Sequence, residues 1–487
     1  MNSSEPSGTG RPERPVWITA ACLVVLLLSM AGRYGFHRDE LYFLVAGRRL
    51  DWGFVDQPPL TPLIARVVET LGGTSPIVLR ILPALAIGGV AILAAGMARR
   101  FGGGSRAQLY AAVTAGGAGV ALGVGHLFST AAFDYFLWTL ATWILVRLLG
   151  GDDSRWWLAL GLVVGVGLQN KHLMGLFAVA ILIALLVTQQ RKLLAGIWPW
   201  IGVGIAALIA LPNIIWQIAN DLPQLEMASA LAGSSDGPIA FVLEQIGLLS
   251  IVLAVPAAIG LWRLLRSASL DRWRPIGITF VLLFVFFLVT GGKSYYVAPL
   301  YSALLAAGAL WFEGLEGRGR RVMIGTTSLG VFVGLFIALP LLPPATLSTV
   351  DVTGELGETV GWPELIDQVV AIYETIPADQ RDDVAIFTGS YGEAGAIDVL
   401  GSAVGLPSAV SGHNNYWLWG PPDRHGPVIG IGQIGDVLDR ICPTTVQADT
   451  ITNPYGVENE EAGLPLYLCM APEGQLADIW DDVRHYN

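Results

Sequence analysis

Charge is what this sequence has least of. Only 14% of its 487 residues are Asp, Glu, Lys or Arg, while 53% are hydrophobic. Soluble domains carry about 25% charged residues, so a wholly water-soluble fold is excluded. Cysteine is scarce as well, at three residues. Cys22 lies inside the first apolar run and reads as a small packing or lipid-facing residue. Cys442 and Cys469 share the C-terminal part, where an exported domain allows a disulfide; spacing alone leaves the bonded and free forms both open. No metal motif of diagnostic spacing occurs anywhere in the chain. A cleavable leader is not expected either. The polar, Pro-rich residues 1–15 are expected to be disordered and cytoplasmic, and the apolar run Val16 to Ala31 leads into Arg33 with no small-residue cleavage pattern. That run reads as a retained helix.

Basic charge is nearly absent from one end. From Pro343 onward there are 22 acidic and 4 basic residues, a net of −18, against a net of +7 for the rest. The two parts therefore meet different environments, and the acidic one argues against a nucleic-acid partner, which needs a basic footprint.

What the chain does have is long hydrophobic runs. A spanning helix needs about 20 apolar residues. Such runs lie near 16–34, 77–98, 107–125, 127–148, 156–170, 173–189, 194–216, 239–264, 275–291, 294–312 and 321–341, about eleven in all. With the N-terminus inside, every inner connection carries Arg or Lys: Arg99, Arg100 and Arg106; Arg147 and Arg155; Arg191 and Lys192; Arg263 to Arg274; Arg318 to Arg321. That is the positive-inside pattern. An odd number of spans puts the tail outside. The expected layout is a transmembrane domain over 16–342 with an outer loop at 34–76, followed by an extracytoplasmic domain at 343–487.

The outer loop carries chemistry-bearing residues. Asp39 and Glu40 follow the first membrane helix, and Asp39 and Tyr42 share a face if the stretch is helical. After Pro58 and Pro59, Leu60, Leu63, Ile64, Val67, Val68 and Leu71 recur at helical spacing, as in a helix lying in the membrane interface. The bland readings are a carboxylate pair complementing a helix dipole and an Asp56 N-cap. Asp134 lies inside an apolar run, where a charge costs about 2.5–3.5 kcal/mol on insertion scales and is a functional candidate by default.

The order of these parts, a first membrane helix, an outer Asp-Glu-x-Tyr and a Pro-Pro-Leu before an interfacial helix, resembles the family 39 glycosyltransferases. These include the protein O-mannosyltransferases and the bacterial aminoarabinose transferase. The resemblance covers about residues 16–340 in layout and is specific in the first loop. It implies a GT-C-like polytopic α-helical membrane protein of about 11 spans with a small C-terminal α/β domain. It further implies an enzyme taking sugar from a polyprenyl-phosphate donor.

Residue by residue, the resemblance makes Asp39 the group that activates the acceptor. Glu40 then tunes it, contacts the acceptor or helps bind a metal. In GHLFSTAAFDYFLW, Asp134 matches a second acidic position. Asp56 matches an acid of the family's proline segment, but the Lys before its Pro is missing, which puts one phosphate contact in doubt. Another cation or a divalent metal would have to serve. Lys293, Tyr296 and Pro299 match a Lys-x-x-Tyr-x-x-Pro segment, and Lys171 with His172 resembles an outer helix turn. Lys293, Lys171, Tyr296 and Tyr42 are the candidate donor contacts, with Arg38 and Arg80 in reserve. Asp56 and His126 are the candidate metal ligands.

In the tail, VAIFTG, PVIGIG and PLYLCM read as buried strands, and 362–376 and 434–441 as helices, giving a small α/β domain. Gly389 to Gly395 vaguely resembles a nucleotide loop, but the spacing is wrong for the dinucleotide fingerprint. SGHNNYWLWGPP supplies His413, Asn414 and Trp417 as candidate acceptor or sugar contacts, against the alternative of an ordinary buried loop. The expected partners are a lipid-linked sugar donor, an extracytoplasmic acceptor and the bilayer of the plasma (inner) membrane. The rival readings are a transporter or lipid flippase, and a silent scaffold with a glycan-binding ectodomain.

Overall fold

The computed structural model describes residues 13–231, 237–350 and 354–486. The expected disordered tail at 1–15 lies mostly outside the described residues; what is described of it joins the first helix, Arg14–Met30. The chain divides into two compact units. One comprises Met1–Ala31, Arg80–Ile215 and Ala232–Leu339, and the other Gly32–Leu79, Trp216–Leu231 and Pro340–Asn487.

The first unit is helical. Six helices among the described residues are long and apolar enough to cross a membrane: Pro76–Arg100, Thr130–Leu149, Trp198–Ala219, Ala268–Thr290, Ser294–Glu313 and Gly317–Ala338. A seventh span arises if the bent pair Ser105–Gly116 and Gly119–His126 counts as one. Shorter apolar helices run over Arg14–Met30, Trp156–Leu168, Leu173–Leu186 and Gly237–Leu248. The apolar run at 239–264, expected as one span, is two helices, Gly237–Leu248 and Ala254–Arg266. Between them Ser250 and Ile251 adopt left-handed backbone, φ 51° and 61°, which breaks a helix of L-residues. Hydropathy reports composition, not this dihedral reversal.

Small residues set the helix spacing, as is usual where no hydrophobic effect drives helices together. A Cβ on Gly260 would lie 1.8 Å from the Leu304 carbonyl oxygen, and one on Gly308 2.1 Å from that of Pro256. The helices Ala254–Arg266 and Tyr301–Glu313 therefore pack backbone to backbone. At one end of the unit, Asp152 is held by Arg100 (2.7 Å) and Arg147 (2.8 Å), residues of the basic connections.

The second unit gathers the first outer loop with the tail. Its sheet has strand order β2-β1-β3-β5-β4, with β1 Ala385–Thr388, β2 Ala409–Ser411, β3 Val428–Ile431, β4 Val446–Thr450 and β5 Pro465–Cys469. The first three are parallel; β5 runs antiparallel to both β3 and β4. β1, β3 and β5 fall on the apolar runs expected as strands. The exposed β4 and the three-residue β2 carry too little apolar pattern to announce themselves. A disulfide joins Cys442 to Cys469 within a core of Phe387, Val428, Leu438 and Trp480.

The loop itself forms two helices. Arg38–Arg48 starts with a reciprocal cap: the His37 ring accepts from Asp39 N, and Glu40 Oε2 accepts from His37 N at 2.9 Å. Such a box satisfies two otherwise orphaned donors. Leu60–Gly72 buries Thr61, Pro62 and Ala65 and leaves Leu63, Val67 and Leu71 exposed. An apolar stripe turned outward suits a lipid interface and not water.

Candidate active site

Asp39 sits in the first turn of Arg38–Arg48 and is half-buried. Its Oδ1 accepts a 2.8 Å hydrogen bond from the Tyr391 hydroxyl; no partner holds Oδ2 among the described residues. Tyr391 comes from the segment Gly389 to Gly395. That segment is the end of β1 and the start of a helix, Tyr391–Val399. Its glycines admit the loop helix: a Cβ on Gly395 would lie 3.0 Å from Leu41 Cβ and 3.2 Å from Tyr42 N, and one on Gly392 3.1 Å from Arg38 Cβ.

A second carboxylate and tyrosine repeat the pattern one helical turn on. The Tyr42 hydroxyl donates to Asp56 Oδ1 at 2.8 Å, and the rings of Tyr42 and Tyr391 are 4.9 Å apart. Burial pushes Asp56 up to about 7, and the Asp39 charge adds to the rise against the opposing Tyr42 bond. Burial and the facing carboxylates lift the hydroxyls of Tyr42 and Tyr391 well above their usual range. Both tyrosines are therefore fixed donors at any ordinary pH.

Other expected site residues are bound into the surrounding fold. Glu40 is fully buried in the helix cap. Arg38 is buried among Glu358, Glu460 and Glu461, with its guanidinium 5.0 Å from the Tyr391 ring centroid. His413 stacks between Tyr391 (4.8 Å) and His485 (4.5 Å). Asn414 is buried with φ 47°, and its neighbour Asn415 accepts from Val55 N at 2.8 Å, tying the motif to the loop. Trp417 and Trp480 each donate an indole N–H to the other's carbonyl.

The helical unit gathers a separate set. Lys171 Nζ lies 4.8 Å from the Tyr296 ring centroid and 5.2 Å from that of Tyr295, and the buried Asp134 is close enough to act on Lys171 electrostatically. Lys293 is exposed before the turn Ser294–Leu300. His126 is buried at the end of Gly119–His126, and Arg80 donates to the Ala31 carbonyl at 2.7 Å. Among the described residues no three His, Cys, Asp or Glu side chains converge to hold a metal, so no step is routed through one.

Tyr391 and Tyr295 escaped the sequence reading. Tyr391 lies in a Gly-rich segment whose likeness to a nucleotide loop the spacing rules out, and Tyr295 adjoins the matched Tyr296.

The sequence pattern of the dolichyl-phosphate-mannose-protein mannosyltransferases matches residues 56–216. The fold aligns with ArnT from Cupriavidus metallidurans bound to undecaprenyl phosphate at a TM-score of 0.63, over 93% of this chain and 97% of that one, at 14% identity. The chain carries part of that family's sequence pattern and shares the fold of this membrane enzyme. The mycobacterial arabinofuranosyltransferase AftD shares the fold at a TM-score of 0.54 and 12% identity, over 96% of this chain and 40% of its own. A lipid A galacturonosyltransferase, RgtD of Rhizobium johnstonii, is 26% identical over 246 residues, 49% of this chain. That alignment spans 51% of the relative, about half its length. The shared fold accords with the many apolar helices of this chain.

Proposed function

We propose that this protein is a GT-C glycosyltransferase that transfers a sugar from a polyprenyl-phosphate donor to a hydroxyl of an extracytoplasmic acceptor, by a single inverting displacement. The observation that carries the reading is Asp39: a half-exposed carboxylate, gripped at one oxygen by Tyr391 and open at the other. An acceptor hydroxyl is a weak nucleophile near neutral pH. The open oxygen takes its proton as the hydroxyl oxygen attacks the anomeric carbon. The bond from that carbon to the phosphate oxygen breaks, and the lipid phosphate leaves with the electron pair. General-base assistance of this kind is worth about 10²–10⁴ in rate.

The departing phosphate needs positive charge. Lys171, ordered against two tyrosine rings, and the exposed Lys293 are the proposed contacts, with Tyr296 beside them and Tyr42 on the loop. Asp134 orients Lys171 by its charge. His413, Asn414 and Trp417 contribute to the acceptor side, and Glu40 acts by starting the helix that carries Asp39. The acceptor is a lipid, a cell-wall glycan or a protein. Basic inner connections support eleven spans in the plasma (inner) membrane, with the N-terminus inside and residues 343–487 outside.

The test is sugar transfer by purified protein in detergent, from labelled polyprenyl-phosphate sugars to native membrane extract. Transfer lost in a folded Asp39→Asn protein supports the reading and the base together. Equal transfer in both removes Asp39 as base. No transfer from any donor, with sugar-lipid movement across vesicles instead, would favour a flippase.

A further inference from the structure

A crevice of about 550 Å³ opens within the second unit, beside the carboxyl ends of β1 and β3. Its position follows from the topology. From β1 the chain crosses by Tyr391–Val399 to β2 on one side, then returns past β1 to β3 on the other. Open parallel sheets place ligand sites at such a reversal, outside the strand ends. The space is of the size that takes a small ligand.

The lining has two characters. Phe387, Ile434, Val437, Leu464 and Val483 supply apolar wall, while Ser390, Gln433, Glu393, Glu460, Glu461 and His485 supply polar groups. Glu461 is 4% exposed and its carboxyl is paired with that of Glu358; the Arg38 guanidinium stands off at 4.0 Å. Burial of Glu461 and its carboxylate neighbours push it up to about 8, so it carries a proton near neutral pH and can donate as well as accept. Glu393, 1% exposed, packs its carboxylate against Gly432, whose φ of 89° and lack of a Cβ let the β3 loop pass. His485 Nε2 lies 3.1 Å from the Gly389 carbonyl, and its ring meets His413 of the aromatic motif.

We propose that this crevice is a saccharide-binding site for a neutral sugar ring. Four carboxyl groups line it against one Arg and one His, which favours a neutral ligand with hydroxyls over phosphates and uronic acids. The apolar wall suits the C–H face of a pyranose or furanose. Carboxyls, an amide and a hydroxyl suit its ring of hydroxyls. The crevice is built by the ends of β1 and β3, the segment at 460–464 and the final segment, and neither Asp39 nor Asp56 is among its lining residues. That the bound sugar belongs to the acceptor rests on the glycosyltransferase reading.

The experiment is saturation-transfer NMR and calorimetry on the full-length protein in detergent, with maltose, lactose and mannobiose as neutral probes and galacturonic acid as the anionic control. Gln433 is exposed at the crevice, so Gln433→Trp fills the space and Gln433→Ala removes one amide. The expected result is binding of at least one neutral disaccharide and none of the uronic acid. Gln433→Trp should weaken it at least tenfold and Gln433→Ala about threefold, with Tm unchanged. If Gln433→Trp fails to fold, Gln433→Ala carries the test. Absence of neutral-sugar binding, or equal binding by both variants, overturns the site. Binding that follows this pattern in a protein with no transferase activity keeps the site and removes only its assignment to an acceptor.

Discussion

The Tyr391 hydroxyl, from the helix that follows β1, donates to Asp39 Oδ1, 352 residues earlier in the chain, at 2.8 Å. The tail thereby holds the loop carboxylate by one oxygen and leaves the other for chemistry. Tyr391→Phe should lower kcat about three- to thirtyfold with KM for the donor little changed, because the carboxylate survives but loses its rotamer lock. Asp39→Asn should lose about 10²-fold or more. Steady-state kinetics on both variants checks this; a Tyr391→Phe enzyme of full kcat would show that the contact is only structural.

The approach of the two helices can be tested at Gly395. A methyl there meets Leu41 Cβ at 3.0 Å and the Tyr42 backbone at 3.2 Å, so the loop helix must shift. Gly395→Val is expected to cost about 1–3 kcal/mol and to reduce transfer more than Tyr391→Phe does. Thermal unfolding and activity measured together would reveal it; a Gly395→Val protein with wild-type transfer would detach the tail from the function.

Stability should depend on pH in a definite direction. Burial pushes Glu393 up to about 7, opposed by its backbone bonds in the Ser390 cap, against an ordinary 4.5. The folded protein therefore binds this proton more tightly than the unfolded chain, so stability falls as pH rises from about 4.5 through about 7. Asp56 and Glu461 are raised in the same sense. The Tm should decline over that window, and Glu393→Gln, which keeps an oxygen for Ser390 N, should flatten part of the slope. A Tm that climbs with pH across it would contradict the burial argument.

Lys171 and Lys293 make separable claims on the donor phosphate. Lys171→Met is expected to raise the donor KM at least tenfold while Lys293→Met raises it less, because Lys171 is already ordered by two rings and Lys293 must be ordered on binding. Donor titrations decide; the reverse ranking would move the phosphate contact to Lys293.

The disulfide gives a redox prediction. Cys442 and Cys469 close a loop of 27 residues in sequence separation. Removing such a link costs about 2–4 kcal/mol. A Cys442→Ser/Cys469→Ser protein should melt at lower temperature than wild type, and reductant should affect only the wild type. Identical melting in all cases would mean that the two sulfurs are not bonded.

Much of the layout was written in local composition. Runs of apolar residues mark helices because lipid leaves a backbone no other partner than itself. The apolar stripe of Leu60–Gly72 was legible from its period, whereas the helix Arg38–Arg48 entered only as the condition under which Asp39 and Tyr42 share a face. The break at Ser250 and Ile251 was not legible, because both flanks are equally apolar and only the backbone dihedrals differ.

Glu40 shows the same boundary at a single residue. Adjacent acidic side chains look alike in sequence, yet one caps its own helix, fully buried, and its neighbour is half-buried against Tyr391. The sequence by itself determined a chain rich in apolar helices with a carboxylate-bearing loop after the first, since hydropathy and local period are sums over neighbouring residues. Only the tertiary structure decided that Tyr391 grips Asp39, that the glycines of 389–395 serve helix contact, and that a crevice opens beside β1. Those depend on pairs far apart in the chain, whose meeting is set by packing and strand order and leaves no periodic trace along the sequence.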